Sequence, residues 1–132
     1  MSAAGALQKA VFVTLAGDAA LTALIGADGV RDHLQPRSHR PCVFIEGIDS
    51  RDASTASEAG EEHLVTLEVR TGEGGSRVAQ EIAARVRALL DDVPLVLTGF
   101  VLVSIFHRRT RIGRDAKAKG HVAEMEFRVV TE

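Results

Sequence analysis

Residues 72–76 have the residue types of a phosphate-binding loop, because a glycine-rich turn here joins a predicted strand to a predicted helix. Backbone N–H groups at such a helix N-terminus can bind a phosphate. A dinucleotide loop would need glycine in place of Arg77, and its ribose-binding acid should end a parallel strand, whereas Asp91 and Asp92 end a helix. A P-loop would need Gly-Lys-Ser or Gly-Lys-Thr. We interpret the segment as a flexible connection in which Ser76 caps the helix, with a small phosphate-handling enzyme as the alternative.

The other residues that could carry catalysis do not form recognisable sets. Nucleophilic catalysis would need Cys42 or a serine beside a histidine and an orienting acid, and no Gly-x-Ser-x-Gly turn is present. The absence of tryptophan and tyrosine disfavours a sugar or base pocket. Zinc ligands usually recur at short or helical spacing, and the histidines of this chain do not have such spacing. The sequence therefore predicts no enzyme activity, no metal site and no cofactor. The five histidines are His33, His39, His63, His107 and His121.

Charge is concentrated in two segments of opposite sign. The basic segment, residues 107–121, holds a single acid, Asp115. Its basic residues are Arg108, Arg109, Arg111, Arg114, Lys117 and Lys119. The acidic segment, residues 47–62, holds a single basic residue, Arg51. Its acids are Asp49, Asp52, Glu58, Glu61 and Glu62.

Three interpretations of these two segments remain open. Both could be solvated loops. The basic segment of one subunit could instead contact an acidic surface on a neighbour or partner and fix the register of an assembly. It could also neutralise the phosphates of a nucleic acid. No aromatic stacking platform or recognition helix accompanies it, so sequence-specific readout is not expected.

Length and composition limit the class of protein. A chain of 132 residues fits one domain, residues 1–132, with enough surface to bury a core. The net charge of -2 gives no general attraction to nucleic acid or lipid. The single cysteine excludes an internal disulfide and suits a reducing compartment. Without a long apolar run or a signal-peptide pattern, we expect a protein made in the cytoplasm that is neither secreted nor membrane-spanning.

Apolar residues recur at helical spacing in three stretches. Asp18 is placed to cap the second of these helices. On the third helix, Glu81 and Arg85 are expected to pair on the solvent side. The predicted helices are residues 3–16, 19–25 and 76–90.

Strands are predicted at residues 30–34, 42–45, 63–71, 100–112 and 121–131. Cys42 is expected to face the core. Residues 47–60 are hydrophilic and are predicted to form a long loop that is mobile or bound to a partner.

The fourth strand is expected to have both of its faces covered, because apolar side chains alternate to both sides. Phe100, Leu102 and Phe106 should point one way, and Val101, Val103 and Ile105 the other. Cover for the first three would come from the N-terminal helix or from another chain.

The order of the elements predicts an α+β fold. We expect an antiparallel sheet of about four to five strands, with an N-terminal helix pair and one central helix on one face. The last two strands should form a long C-terminal β-hairpin.

Four stretches resemble the tail-terminator, or tail-completion, proteins of long-tailed phages, and in particular the version in gene transfer agents of alphaproteobacteria. The stretches are "ALQKAVFVTLAGDAALTALIGA", "RPCVFIEG", "LEVRTGEGGSRVAQEIAARVRALL" and "DAKAKGHVAEMEFRVV". They span almost the whole chain and are patterns of fold more than chemical motifs.

The resemblance implies a structural protein without catalytic residues. Its copies would form a hexameric ring at the head-proximal end of a tail tube, ending tube polymerisation and offering a docking surface to neck proteins. Its partners would be further copies of itself, the major tail tube protein and a head–tail connector or stopper protein, and DNA would pass through the lumen without sequence-specific binding. The charged segments would then make subunit, tube or neck contacts. The alternative is a soluble binding module or nucleic-acid accessory protein that uses residues 107–121.

Overall fold

The computed structural model describes residues 2–31, 41–72, 75–116 and 119–132. Within these ranges the chain forms three helices and five strands. In chain order they are α1 (Ala3–Ala16), α2 (Ala19–Ile25), β1 (Val30–Arg31), β2 (Cys42–Asp52), β3 (Glu61–Arg70), α3 (Ser76–Leu90), β4 (Leu102–Arg114) and β5 (His121–Thr131).

The five strands form one sheet in the order β1-β2-β3-β5-β4. All neighbouring pairs are antiparallel except β1 and β2, which run parallel. The α+β class and the C-terminal hairpin of β4 and β5 are therefore confirmed. The parallel pair makes the sheet mixed, a detail that the sequence did not predict.

The helices cover one face of the sheet. His63, Val65, Leu67 and Val69 of β3 point into the core, as their alternation predicted. Residues 123, 125, 127 and 129 of β5 do the same, and α3 buries Ile82, Val86 and Leu90 against this layer. Burying each Val, Leu, Ile, Met or Phe side chain of this set contributes about 1.5–3 kcal/mol. The opposite side of the sheet, here called the outer face, carries the alternate residues of each strand.

Two of the expected helix starts can be compared with the structure. Asp18 caps α2 as predicted, because its carboxylate accepts the N–H of Leu21 at 2.8 Å. Ser76 does not cap α3, which begins after Gly75 without a side-chain cap. The Ser76 hydroxyl instead accepts a hydrogen bond from Nε2 of Gln80 at 3.0 Å.

The predicted loop over residues 47–60 is wrong in its first half. β2 continues to Asp52 and pairs with β3 along its whole length, so only residues 53–60 connect the two strands. A β-bulge between Ile45 and Gly47 shifts the alternation at this point. Beyond the bulge most residues are exposed. Because solvent contacts the outer face and the edge of this part of β2, it needs few apolar residues. Its hydrophilic sequence is therefore similar to that of a loop, and this similarity explains the wrong prediction.

The faces predicted for the fourth strand are also wrong. Bulges between Leu102 and Ser104 and between His107 and Arg109 each shift the alternation. Leu102 and Ile105 consequently lie on the core side, opposite Thr131 and Val129. Phe106 lies on the outer face, where it is 46% exposed. The described residues therefore do not cover β4 on both sides.

No single helix of the described residues is long and apolar enough to cross a membrane. Taken together, α1 and α2 meet the criteria of length and composition, but they are bent by 80° where they join.

Candidate functional site

The free edge of β4 is half covered. β4 is the last strand of the sheet, and the turn after α3 packs against the first part of its outer edge. There the N–H of Asp92 donates to the carbonyl of Ile105 at 2.8 Å, and the carboxylate of Asp91 accepts the N–H of His107 at 2.8 Å. From residue 108 to residue 114 no strand within the described residues pairs with this side. We call residues 108–114 the β4 edge.

Among the described residues, the other side of the sheet is open in a similar way. Within the same ranges, β1 pairs only with Val43 and Phe44 of β2. From the bulge onward, no strand in the described part of the chain lies beyond β2. We call residues 46–52 the β2 edge.

The two open edges lie at opposite ends of the sheet. Across the four antiparallel strands, Asp49 of the β2 edge is in register with Leu64, Arg128 and Phe106. Arg111, at the middle of the β4 edge, is in register with Glu124 and Glu68 instead. The β2 edge and the β4 edge therefore lie at diagonally opposite corners of the sheet.

The structure gathers most of the predicted basic residues on the β4 edge. Arg108, Arg109, Arg111 and Arg114 are all exposed, and none makes an ion pair within 4.0 Å with a described residue. Lys119 lies in the turn of the hairpin and is exposed, while Lys117 lies outside the described residues. The acid of this segment, Asp115, is bound by Arg70.

Most of the predicted acidic residues have local roles. Asp52 accepts hydrogen bonds from the N–H and the hydroxyl of Ser54, which lower the pKa of Asp52. Glu62 accepts two hydrogen bonds from Arg128, at 2.8 and 3.3 Å, and this contact lowers the pKa of Glu62. The pKa of Glu132 is raised by the nearby Glu58.

One open groove on the outer face brings the two charged segments together. Asp49 and Glu62 line it from the acidic segment and Arg108 from the basic segment. Two further lining residues, Arg51 and Arg128, were not among the predicted site residues. The outward position of Arg128 in the alternation of β5 was the signal available for it.

The predicted pair of Glu81 and Arg85 does not form. Glu81 pairs with Arg77 at 3.3 Å. Arg85 donates two hydrogen bonds to Asp18, from Nε at 2.8 Å and from Nη2 at 2.6 Å. The guanidinium and the N–H of Leu21 lower the pKa of Asp18 to about 2.

The glycine-rich turn after β3 serves a backbone contact. Gly120, at the end of the hairpin, has φ +106 and lies so close to Gly72 that a Cβ on Gly120 would be 1.6 Å from the Gly72 carbonyl oxygen. Thr71 and His121 are joined beside it by hydrogen bonds in both directions. Residues 73–74 lie outside the described part of the chain.

The residues considered for catalysis or metal binding are dispersed. Cys42 is buried, as expected, and burial raises the pKa of its thiol. His63 is buried between the hydroxyls of Ser50 and Thr131, at 2.6 and 3.0 Å. The described residues contain no group of three or more His, Cys, Asp or Glu that could hold a metal ion. His33 and His39 lie outside the described residues.

Comparison with known proteins agrees with the architecture. The chain is similar over 99% of its length to a chain of the solved structure "Virion of native gene transfer agent (GTA) particle", with 34% identity, a TM-score of 0.89 and 98% of that chain covered. No curated protein matches the chain. The family model for "Tail completion protein gp17" matches residues 9–132. The resemblance inferred from the sequence is thus confirmed, together with a structural role in the tail of a virion-like particle. The chain belongs to the tail completion protein gp17 family.

Proposed function

We propose that six copies of this chain form a closed ring on the head-proximal end of a phage-like tail tube. The ring ends polymerisation of the tube and offers its other face to a head–tail connector or stopper protein. The observation that carries this proposal is the likeness, along almost the whole chain, to a chain of a gene transfer agent virion.

A terminator must bind the end of a polymer without recreating that end on its far side. A closed ring suits this task, because its two faces differ. Subunits with two different contact surfaces form such a ring when the rotation between copies closes, and a filament when it does not. The two open edges of the sheet are such surfaces. Six weak contacts to the tube would also reinforce one another through avidity.

DNA would pass through the lumen without sequence-specific binding. On the outer face, Arg109 lies opposite Glu126 and Arg111 lies opposite Glu124. These neighbouring acids weaken the attraction of the β4 edge for phosphates, which disfavours the alternative of a nucleic-acid accessory protein. An open edge strand is instead suited to pairing with a strand of another protein chain.

Deletion of the gene from a particle-producing strain tests this function. Electron microscopy of the purified particles should show tails of irregular length and capsids that lack tails. Supplying the intact chain should restore both properties. Tails of normal, uniform length that remain joined to capsids without the chain would refute the proposal.

A further inference from the structure

The two open edges of the sheet carry opposite charge. The β4 edge has the sequence RRTRIGR, with four arginines and no acid. The β2 edge has the sequence EGIDSRD, with Glu46, Asp49 and Asp52 against Arg51. Each edge is seven residues long, which corresponds to about 23 Å of extended strand. The edges therefore match in length and complement each other in charge.

We propose that the β4 edge of one copy pairs with the β2 edge of the next copy, so that the sheet continues from subunit to subunit. This inference rests on the ring proposed above and identifies the surfaces that close it. Unpaired backbone N–H and C=O groups along an edge strand are a template for a further strand. Asp49 and Arg111 each lie at the middle of their edge and on the outer face, so pairing brings them together whichever way the strands run.

Charge opposes the pairing of like edges. Two β4 edges would place arginines opposite arginines, and two β2 edges would place carboxylates opposite carboxylates. Like charges directly across a strand pair are destabilising, whereas opposite charges contribute roughly 0.2–1 kcal/mol per pair. A two-fold dimer through either edge is therefore disfavoured, and head-to-tail association is favoured.

Protection against aggregation explains the opposite charges of the two edges less completely than edge pairing does. Edge strands are often blunted by charge and bulges, and both are present here. Protection is obtained with the same sign of charge on both edges, which would also keep the two edges of different copies apart. Opposite charges on the two edges instead draw the edges of different copies together. In the described part of the chain, the Asp91–Asp92 turn also covers only the first part of β4 and leaves the basic part open.

Variants with one introduced cysteine test the pairing directly. Asp49→Cys and Arg111→Cys are purified separately, treated with a short bis-maleimide alone and as a mixture, and separated on a denaturing gel. A cross-linked dimer is expected in the mixture, with only background for either variant alone. The native Cys42 is 1% exposed and should not react. Arg77→Cys, on the exposed side of α3, replaces Arg111→Cys in the matched control.

The same variants are also treated within purified particles that contain both, because subunits could require a tube end to associate. Cross-linking in solution or in particles above the Arg77→Cys control supports the proposal. Background levels in both settings refute it. If the chain is absent from particles, the proposed function fails while the solution experiment still decides the edge pairing.

A charge exchange provides a second, independent test. Arg108→Glu, Arg111→Glu and Arg114→Glu together should abolish cross-linking through flanking cysteines. Glu46→Arg, Asp49→Arg and Asp52→Arg on the partner copy should restore it, because these three positions face the three arginines whichever way the strands run. Urea denaturation of each variant establishes that it folds. If cross-linking is lost and the partner with exchanged charges does not restore it, edge pairing is refuted.

Discussion

At the scale of single residues, Asp18 joins two helices. Its carboxylate accepts the N–H of Leu21 at the start of α2 and two hydrogen bonds from Arg85 of α3. The sequence predicted the cap, because Asp before an apolar helix is a local signal. It could not predict Arg85 as the partner, since the two residues are 67 positions apart.

Replacing Asp18 separates these two roles. Asp18→Asn keeps an oxygen for the cap but loses the charge, and Asp18→Ala loses both. The urea midpoint at pH 7 should therefore be highest for wild type, lower for Asp18→Asn and lowest for Asp18→Ala. Because the pKa of Asp18 is lowered to about 2 from 3.8, its stabilising effect is complete above pH 3.8 and is lost as the pH falls to about 2. The advantage of wild type over Asp18→Asn should therefore shrink across that interval. A constant difference would contradict the assignment.

His63 makes stability depend on pH nearer neutrality. Burial lowers its pKa from 6.5, so the folded state favours the neutral ring, and its stabilising effect is complete only above pH 6.5 and decreases as the pH falls. His63→Leu should cost about 2 kcal/mol at pH 8, because the buried Thr131 hydroxyl loses its partner. This difference from wild type should narrow towards pH 5. Urea denaturation at several pH values measures both effects.

Thr131→Val is the matched control for His63→Leu. It removes the same hydrogen bond but leaves the imidazole in place, so it should retain the pH dependence of wild type. If both variants lost that dependence, His63 would not be its source.

At the scale of elements, segments with strong periodicity were predicted correctly, whereas strands interrupted by β-bulges were not. The three helices have the predicted bounds, and β3 and β5 have the predicted faces. The errors fall on β2 and β4, where three bulges interrupt the alternation that defines a strand. A bulge depends on the pairing partner, so one strand read alone does not reveal it.

The close approach of Gly120 to Gly72 predicts a large cost for a single methyl group. Gly120→Ala should destabilise the fold by about 3 kcal/mol or more, because a Cβ meets the Gly72 carbonyl at a positive φ. Gly26 also has positive φ, with an extended ψ of 165, but has open space around it, so Gly26→Ala should cost less, about 1–3 kcal/mol. Thermal or urea unfolding of both variants measures the difference. Equal losses would show that strain in φ, and not the contact, determines the cost.

At the scale of the whole molecule, the family was predictable from the sequence, and the candidate interaction surface was predictable only in part. The opposite charges of the two segments were visible in the sequence. Their positions on two open half-edges depend on the strand order and on the Asp91–Asp92 turn, which are tertiary features. Arg51 and Arg128 joined the site for the same reason.

Head-to-tail pairing predicts that a subunit with one disabled edge interrupts assembly. A chain with Arg108→Glu, Arg111→Glu and Arg114→Glu keeps its β2 edge, so it can accept one neighbour but cannot bind the next. Expressed in excess with the wild-type chain, it should lower the yield of tailed particles. A second variant with both edges reversed in charge can still pair with itself, so it should interfere less. Equal interference by both variants would contradict the model of two distinct edges.

The diagonal placement of the open half-edges also determines how a closed sheet is inclined. Joining Arg111 of one copy to Asp49 of the next displaces each copy along the strands by the distance from Leu64 to Glu68, four residues or about 13 Å. Four strands at about 4.8 Å spacing give each copy a width of about 19 Å. The strands would then tilt by about 35° from the ring axis, within the usual range for closed barrels. In the proposed ring, the choice of which half of each edge strand is left uncovered would thus determine how steeply the strands wind around the lumen.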